Sequence, residues 1–369
     1  MKSNISPQSH WYLSRFMIAL VLAVACVPEE RAAQPEYPKP SSKPRRIIID
    51  TDPGVDDAFA LLLALRSPEI KVEAITVVAG NVPVETGLPN ALRMVEISGS
   101  TNIPVALGAN TPLKRKLVTA TEWHGENGLM GLSLPQPKLK HASESAIELM
   151  RQVIHNYPHQ VSIVALGPLT NLALAFKADP QLPALVEEVV LMGGSLSGGN
   201  VSPAAEFNFY VDPEAARIVF HSGVSLTMVG LDVTRKVILT EEHLKLLEAS
   251  KDEVSEITAR LARSLINRYK ALGEAFGPAM HDPLAVAAFI DRSLLRVEKM
   301  QVDIETSGEL TAGEALGYRS APIVGSAPLL DQPIQNSKTL APNVSVGMRV
   351  DAAGFFRMFI SRLTDARLK

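Results

Sequence analysis

From residue 46 to residue 230, short apolar runs alternate with amphipathic stretches, and this alternation constrains the fold more than any other feature of the chain. The runs Ile47–Asp50, Val72–Val78, Val105–Leu107, Val161–Ala165, Val186–Met192 and Leu226–Val229 read as buried strands. Between them, Asp57–Arg66, Glu85–Ser98, Ser143–Asn156, Leu172–Ala178 and Pro213–Ser222 carry helical spacing. Such a pattern predicts an α/β fold: a mostly parallel, open, Rossmann-like central sheet covered by helices on both faces. From Glu241 to Ile290 the chain reads as mainly helical. After Leu295 it returns to strand-like and irregular sequence, with a last helix over Ala352–Leu363. Thr311–Asn343 has several prolines and weak periodicity, and is expected to form peripheral loops.

The N-terminus reads differently. Lys2 and Arg15 precede a short apolar run, Phe16–Ala25, that ends at Ala23-Val24-Ala25-Cys26. Ten apolar residues are too few to span a bilayer, where about 20 are needed. A positive start, a short apolar run and a small-residue cleavage site predict a signal peptide over residues 1–26 and export to the periplasm or cell envelope. Cys26 is the chain's sole cysteine, so no intrachain disulfide forms. It fits a lipoprotein box, although Ala23 stands where Leu is usual; the same residues also fit an ordinary Ala-x-Ala cleavage site. Residues 27–45 hold five prolines and no periodicity, the composition of an extended linker. With an acylated Cys26, that linker would tether a single domain, residues 46–369, to a membrane.

With 46% hydrophobic residues, the chain can bury a large core. Its formal net charge of -3 argues against a nucleic-acid binder, which shows a basic excess.

Ligands of open α/β sheets sit beyond the carboxyl ends of the strands, so the polar residues after each strand matter most. After the first strand, Asp50-Thr51-Asp52-Pro53-Gly54-Val55-Asp56-Asp57 packs four carboxylates into eight residues. A helix N-cap explains one of them. Four repel and raise one another's pKa, a cost that a hard cation such as calcium or magnesium would remove. An Asp-x-Asp after a first strand also occurs in dehalogenase-type phosphatases, but Gly54 and the Asp56-Asp57 pair depart from that pattern.

The run Asp50–Ala58 resembles the signature of the inosine-uridine-preferring nucleoside hydrolase family, and the likeness continues in order to about Leu363. Ala79-Gly80-Asn81, Trp123-His124-Gly125, Leu166-Gly167-Pro168-Leu169-Thr170-Asn171, Ala205-Glu206-Phe207-Asn208 and His281-Asp282-Pro283-Leu284-Ala285 are the matching segments. The resemblance implies hydrolysis of the N-glycosidic bond of ribonucleosides with a bound Ca²⁺. It implies metal binding by Asp52, Asp57, Asp282 and the Leu166 carbonyl, with Asp50 supporting them. Asp52 would be the general base, and His281 the general acid for the leaving base. Asp56, Asn81, Asn200, Glu206 and Asn208 would hold the ribose. His124, Tyr269 and Trp123 would meet the base. His281 resembles the nonspecific members, where purine-specific ones carry Trp. Family members are often dimers or tetramers, so a homodimer or homotetramer is expected.

Each segment alone has a plainer reading. His124 and Trp123 are ordinary packing residues elsewhere, and His281-Asp282 could simply start a helix. A non-catalytic exported nucleoside or sugar receptor is the alternative from a different class. It would have no need of a base or an acid.

Overall fold

A computed structural model describes residues 43–274, 276–318 and 341–364. The expected signal peptide, Cys26 and the linker as far as residue 42 lie outside the described residues. Among the described residues, nine strands form one sheet. They are β1 (Arg45–Thr51), β2 (Ile70–Val77), β3 (Val105–Leu107), β4 (Val161–Ala165), β5 (Val189–Met192), β6 (Leu226–Val229), β7 (Leu295–Ile304), β8 (Ala315–Tyr318) and β9 (Val344–Val350). Their order is β3-β2-β1-β4-β5-β6-β9-β7-β8. Every pairing from β3 across to β9 is parallel, whereas β7 runs antiparallel to both β9 and β8. The sheet is therefore open and mostly parallel, as the alternation predicts, with an antiparallel edge.

The apolar runs have no polar alternation because both faces are covered. In β1, Ile47 and Ile49 face a core built with α1 (Val55–Leu65) and α2 (Val84–Ile97). Ile48 faces the opposite core, built with α3 (Ala146–Asn156), α4 (Thr170–Ala178) and α5 (Pro213–Phe220). All three isoleucines are fully buried, each stabilising the fold by about 1.5–3 kcal/mol. The long helix α6 (Glu253–Ala271), α7 (His281–Ile290) and α8 (Ala352–Leu363) complete the first of these layers.

Two segments differ from the sequence reading. The stretch read as a strand from Val186 starts only at Val189. Residues 186–188 are irregular and follow a short helix, Leu182–Leu185, with Pro183 in its first turn, where the missing N–H costs nothing. Within Thr311–Asn343, Ala315–Tyr318 is a strand rather than a loop, paired to β7 at the sheet edge. Residues 319–340 lie outside the described residues.

The strand order positions the site. From β1 the chain winds outward through β2 and β3, then returns to the other side of β1 and winds away through β4, β5 and β6. The winding reverses between β1 and β4, and such a switch point opens a crevice at the strands' carboxyl ends. The acidic run leaves β1 there, and Leu166-Gly167 leaves β4 beside it. Helix α7, buried almost all round, packs along α1, so that the N-termini of both helices converge on the same place.

Candidate active site

The acidic run is held by hydrogen bonds that differ for each carboxylate. Asp50 Oδ1 accepts from Thr76 Oγ1 at 2.6 Å and from Asn171 Nδ2 at 2.8 Å. Its backbone carbonyl accepts the Leu166 N–H at 2.7 Å, which ties the end of β4 to β1. Asp52 Oδ2 accepts the Asn81 N–H at 2.6 Å. Asp57 is the most fully bonded: Oδ1 accepts from Thr51 Oγ1 and the Asp52 N–H, and Oδ2 from the Gly54 N–H and Asn81 Nδ2, both at 2.9 Å. Asp50, Asp52 and Asp57 are wholly buried.

Two glycines make room for Asp52. A Cβ on Gly80 would lie 2.0 Å from Asp52 Oδ2, and one on Gly167 would lie 2.7 Å from Asp52 Oδ1. The carboxylate is thus clamped between the loops that follow β2 and β4, in space that a side chain would fill.

Asp282 enters from the first turn of α7, and Asp56 and Asp57 from the first turn of α1. One oxygen from each of Asp56, Asp57 and Asp282 lies within 4.8 Å of the others. Paired helix N-termini favour negative charge there. Even so, burial pushes the Asp50 carboxyl up to about 7. Burial and then the Asp57 charge push Asp56 up to about 8. Asp52 is raised well above the usual range by burial and by Asp57, and Asp282 by burial and by Asp56, Asp57 and Asp52. Among these groups Asp52, Asp56 and Asp282, with Asp57, feel one another's charge, whereas Asp50 is raised by burial alone. Asp50 Oδ2, Asp52 Oδ1 and Asp56 Oδ1 are buried with no hydrogen-bond partner. Unpartnered buried carboxylate oxygens are costly, and a hard cation with oxygen ligands is the group that removes the cost. The residues present fit one. The Leu166 carbonyl, expected among its ligands, accepts from Asn208 Nδ2 at 2.8 Å and has a second lone pair.

The residues expected around the sugar fall into two groups. Glu206 is buried, caps the short helix Phe207–Val211, and accepts from the Gly194, Asn208 and Phe209 N–H groups. Burial raises it to about 7, and its charge is felt at Asp56 and Asp282. Asn208 is also buried, and donates to the Leu166 and Met192 carbonyls. Asn81 donates its side-chain amide to Asp57. These three brace the walls of the site. Asn200 is exposed, and its Oδ1 accepts the Phe207 N–H at 3.0 Å, beside Glu206 and Asn208 in the chain.

His124 Nδ1 accepts the Val55 N–H at 3.2 Å and lies 3.8 Å from Asp56 Oδ1. Burial lowers this imidazole to about 4. Trp123 meets Tyr269 with ring centroids 5.5 Å apart, and burial, followed by the Asp56 charge, pushes the Tyr269 phenol up to about 12. His281 Nδ1 lies 2.8 Å from Thr234 Oγ1. Burial, Arg235 and His124 lower His281 to about 4, so the ring is neutral at pH 7.

Several further residues support the site. Thr76 is a polar residue inside the apolar strand β2, and Thr51 and Asn171 lie within the motifs already noted. Asp232 and Thr234 follow β6, where polar residues after a strand are a signal. Arg268 donates to the Glu122 carbonyl at 2.7 and 3.0 Å, tying α6 to the short helix Thr121–His124; nothing in its local sequence marks that contact.

Buried carboxylates at the switch point of an open parallel sheet, with two imidazoles near them, make a site of the class that can hold a hard cation. Comparison with known proteins gives the family. The family model for inosine-uridine preferring nucleoside hydrolase matches residues 47–357, and the chain belongs to that family. It is 40% identical over 322 residues to the pyrimidine-specific ribonucleoside hydrolase of Photobacterium profundum, covering 87% of this chain and 99% of that one. Its structure is similar to a plant nucleoside hydrolase (TM-score 0.80, 33% identity, 87% of this chain and 99% of that one). It is also similar to a purine-preferring ribonucleoside hydrolase from Gardnerella vaginalis (TM-score 0.78, 30% identity, 87% and 98%). The protein is accordingly an N-ribosyl hydrolase acting on ribonucleosides, and its family is metal-dependent. The phosphatase and binding-protein alternatives are set aside.

Proposed function

We propose that the enzyme hydrolyses inosine- and uridine-type ribonucleosides to ribose and free base with Ca²⁺, and that uridine is preferred. The observation that carries the metal reading is the convergence of Asp56, Asp57 and Asp282 within 4.8 Å, together with an Asp52 Oδ1 that is buried and unpartnered. Asp52, Asp57, Asp282 and the Leu166 carbonyl would hold the cation. When bound, it supplies positive charge that keeps the carboxylates ionised and makes a water more acidic.

The chain's own residues account for the rest. Asp52 takes the proton from the attacking water as that oxygen bonds to C1′ of the ribose. The C1′–N bond breaks, and its electron pair leaves with the base. Negative charge from Asp52, Asp56 and Asp282 stabilises the oxocarbenium character that develops on the sugar. Asp56, Glu206, Asn208, Asn81 and Asn200 orient the ribose hydroxyls. His281 donates a hydrogen bond to the departing base, which carries the electron pair of the broken bond, while Trp123, Tyr269 and His124 line the base side. The neutral state of His281 suits donation of an N–H, which an imidazole retains without a positive charge. Preference for uridine is supported by the pyrimidine-specific relative, more similar in sequence than the purine-preferring one.

The test is ribose release from uridine, cytidine, inosine and their 2′-deoxy forms, with and without chelator. Release that stops on chelation and returns with Ca²⁺ is expected. No release from any ribonucleoside in the presence of Ca²⁺ overturns the reading. Export through residues 1–26, with or without acylation of Cys26, is proposed from the sequence and tested by the mass of the mature N-terminus. The proposed homodimer or homotetramer is tested by light scattering.

A further inference from the structure

One turn of chain after β6 touches two parts of the site that are distant in sequence. The short helix Leu231–Thr234 begins at Gly230. Leu231 N–H donates to the Gly194 carbonyl at 3.0 Å. Asp232 Oδ2 accepts the Leu196 N–H at 2.9 Å, and its Oδ1 accepts from Ser197 Oγ at 2.7 Å. Arg235, just beyond the helix, donates to the Gly199 carbonyl. These contacts pin the turn to the loop that leads to Asn200. On the other side of the turn, Thr234 is wholly buried, and its Oγ1 lies 2.8 Å from His281 Nδ1.

We infer that Thr234 is a positioning residue for His281, fixing the tautomer and the aim of the imidazole. In the proposed arrangement the Thr234 hydroxyl donates to Nδ1, so the ring's proton sits on Nε2, the nitrogen left for the leaving base. A β-branched threonine on a pinned turn has few rotamers, so the hydroxyl is held where the ring needs it. Thr234 makes no step of the reaction itself; it acts through His281. The inference rests on the reading of His281 as donor to the base, and the controls separate the two.

The experiment compares Thr234→Val, which keeps the shape and removes the hydroxyl, with Thr234→Ser, which keeps the hydroxyl, and with His281→Ala. Each is assayed on uridine and on p-nitrophenyl riboside, whose leaving group needs no proton. Thr234→Val is expected to lower kcat on uridine at least tenfold while KM and the p-nitrophenyl riboside rate stay near wild type, and Thr234→Ser to restore most of the uridine rate. If His281→Ala discriminates between the substrates and Thr234→Val does not, Thr234 is no positioning residue. If His281→Ala lowers both substrates equally, the donor reading of His281 fails, and this inference with it. Should Thr234→Val unfold, Thr234→Ala takes its place: a loss on uridine that spares p-nitrophenyl riboside supports the role, and equal losses on both substrates overturn it.

Discussion

Asp52 Oδ2 accepts the backbone N–H of Asn81 at 2.6 Å, while Asp52 Oδ1 is buried with no partner of its own. One oxygen orients the carboxylate and the other is left for chemistry. Because Asn81 also donates its side chain to Asp57, the loop after β2 sets two carboxylates of the acidic run at once. This explains why a single strand end can carry so much charge in a fixed geometry.

Replacing Asp52 by Asn keeps the shape but removes the proton acceptor. General-base catalysis contributes about 10²–10⁴-fold, so kcat on uridine should fall by at least that much. Circular dichroism should show the fold unchanged. A variant with near-normal kcat rejects Asp52 as the base.

Gly80→Ala attacks the same carboxylate from outside. The added Cβ would sit 2.0 Å from Asp52 Oδ2, so the side chain has to move. A misplacement of ~1 Å costs about 10²-fold in rate. Steady-state kinetics beside a thermal melt checks this; a wild-type rate in a folded variant means the clamp is not needed.

Metal removal should make stability depend on pH in a defined direction. Asp56, raised to about 8, and Asp50 and Glu206, raised to about 7, lie far above the ordinary values of 3.8 and 4.5 for Asp and Glu carboxyls. Between about pH 9 and 7 the folded protein takes up protons that the unfolded chain does not, so its stability falls as pH rises through that window. His124 and His281, lowered to about 4, oppose this only below their unfolded value of 6.5. Melts in chelator should therefore give a higher Tm at pH 7 than at pH 9. Excess Ca²⁺ should shrink that difference by holding the carboxylates ionised. An equal slope with and without Ca²⁺ would falsify the cation reading of the cluster.

Ribose should be strongly preferred to 2-deoxyribose. A site whose buried polar groups expect a hydroxyl rejects the analogue lacking it by on the order of 10⁴-fold. With Asp56, Glu206 and Asn208 placed around the carboxylates, kcat/KM for 2′-deoxyuridine should fall toward that limit. Comparable values for the two sugars would remove these residues from the sugar-binding role.

The covered sheet was legible in the chain because a strand buried on both faces has to be apolar throughout, and runs such as Ile47–Ile49 are. The acidic run was legible because four carboxylates in eight residues have few explanations other than a cation. What the sequence by itself determined, then, was the layered α/β class, the likeness to one family, and the presence of a charged site after β1. The tertiary structure decided the rest. The family likeness implies that Asp282 joins the acidic run, but its meeting with Asp56 and Asp57 depends on α7 lying along α1, a contact between segments more than two hundred residues apart that no local pattern encodes. Local sequence likewise leaves open that Asn81, Glu206 and Asn208 brace the walls, that Asn200 lies at an exposed loop, and that Thr234 stands behind His281. Hydrogen bonds of this kind are chosen by which buried groups the packing leaves without water, and only the assembled fold defines that.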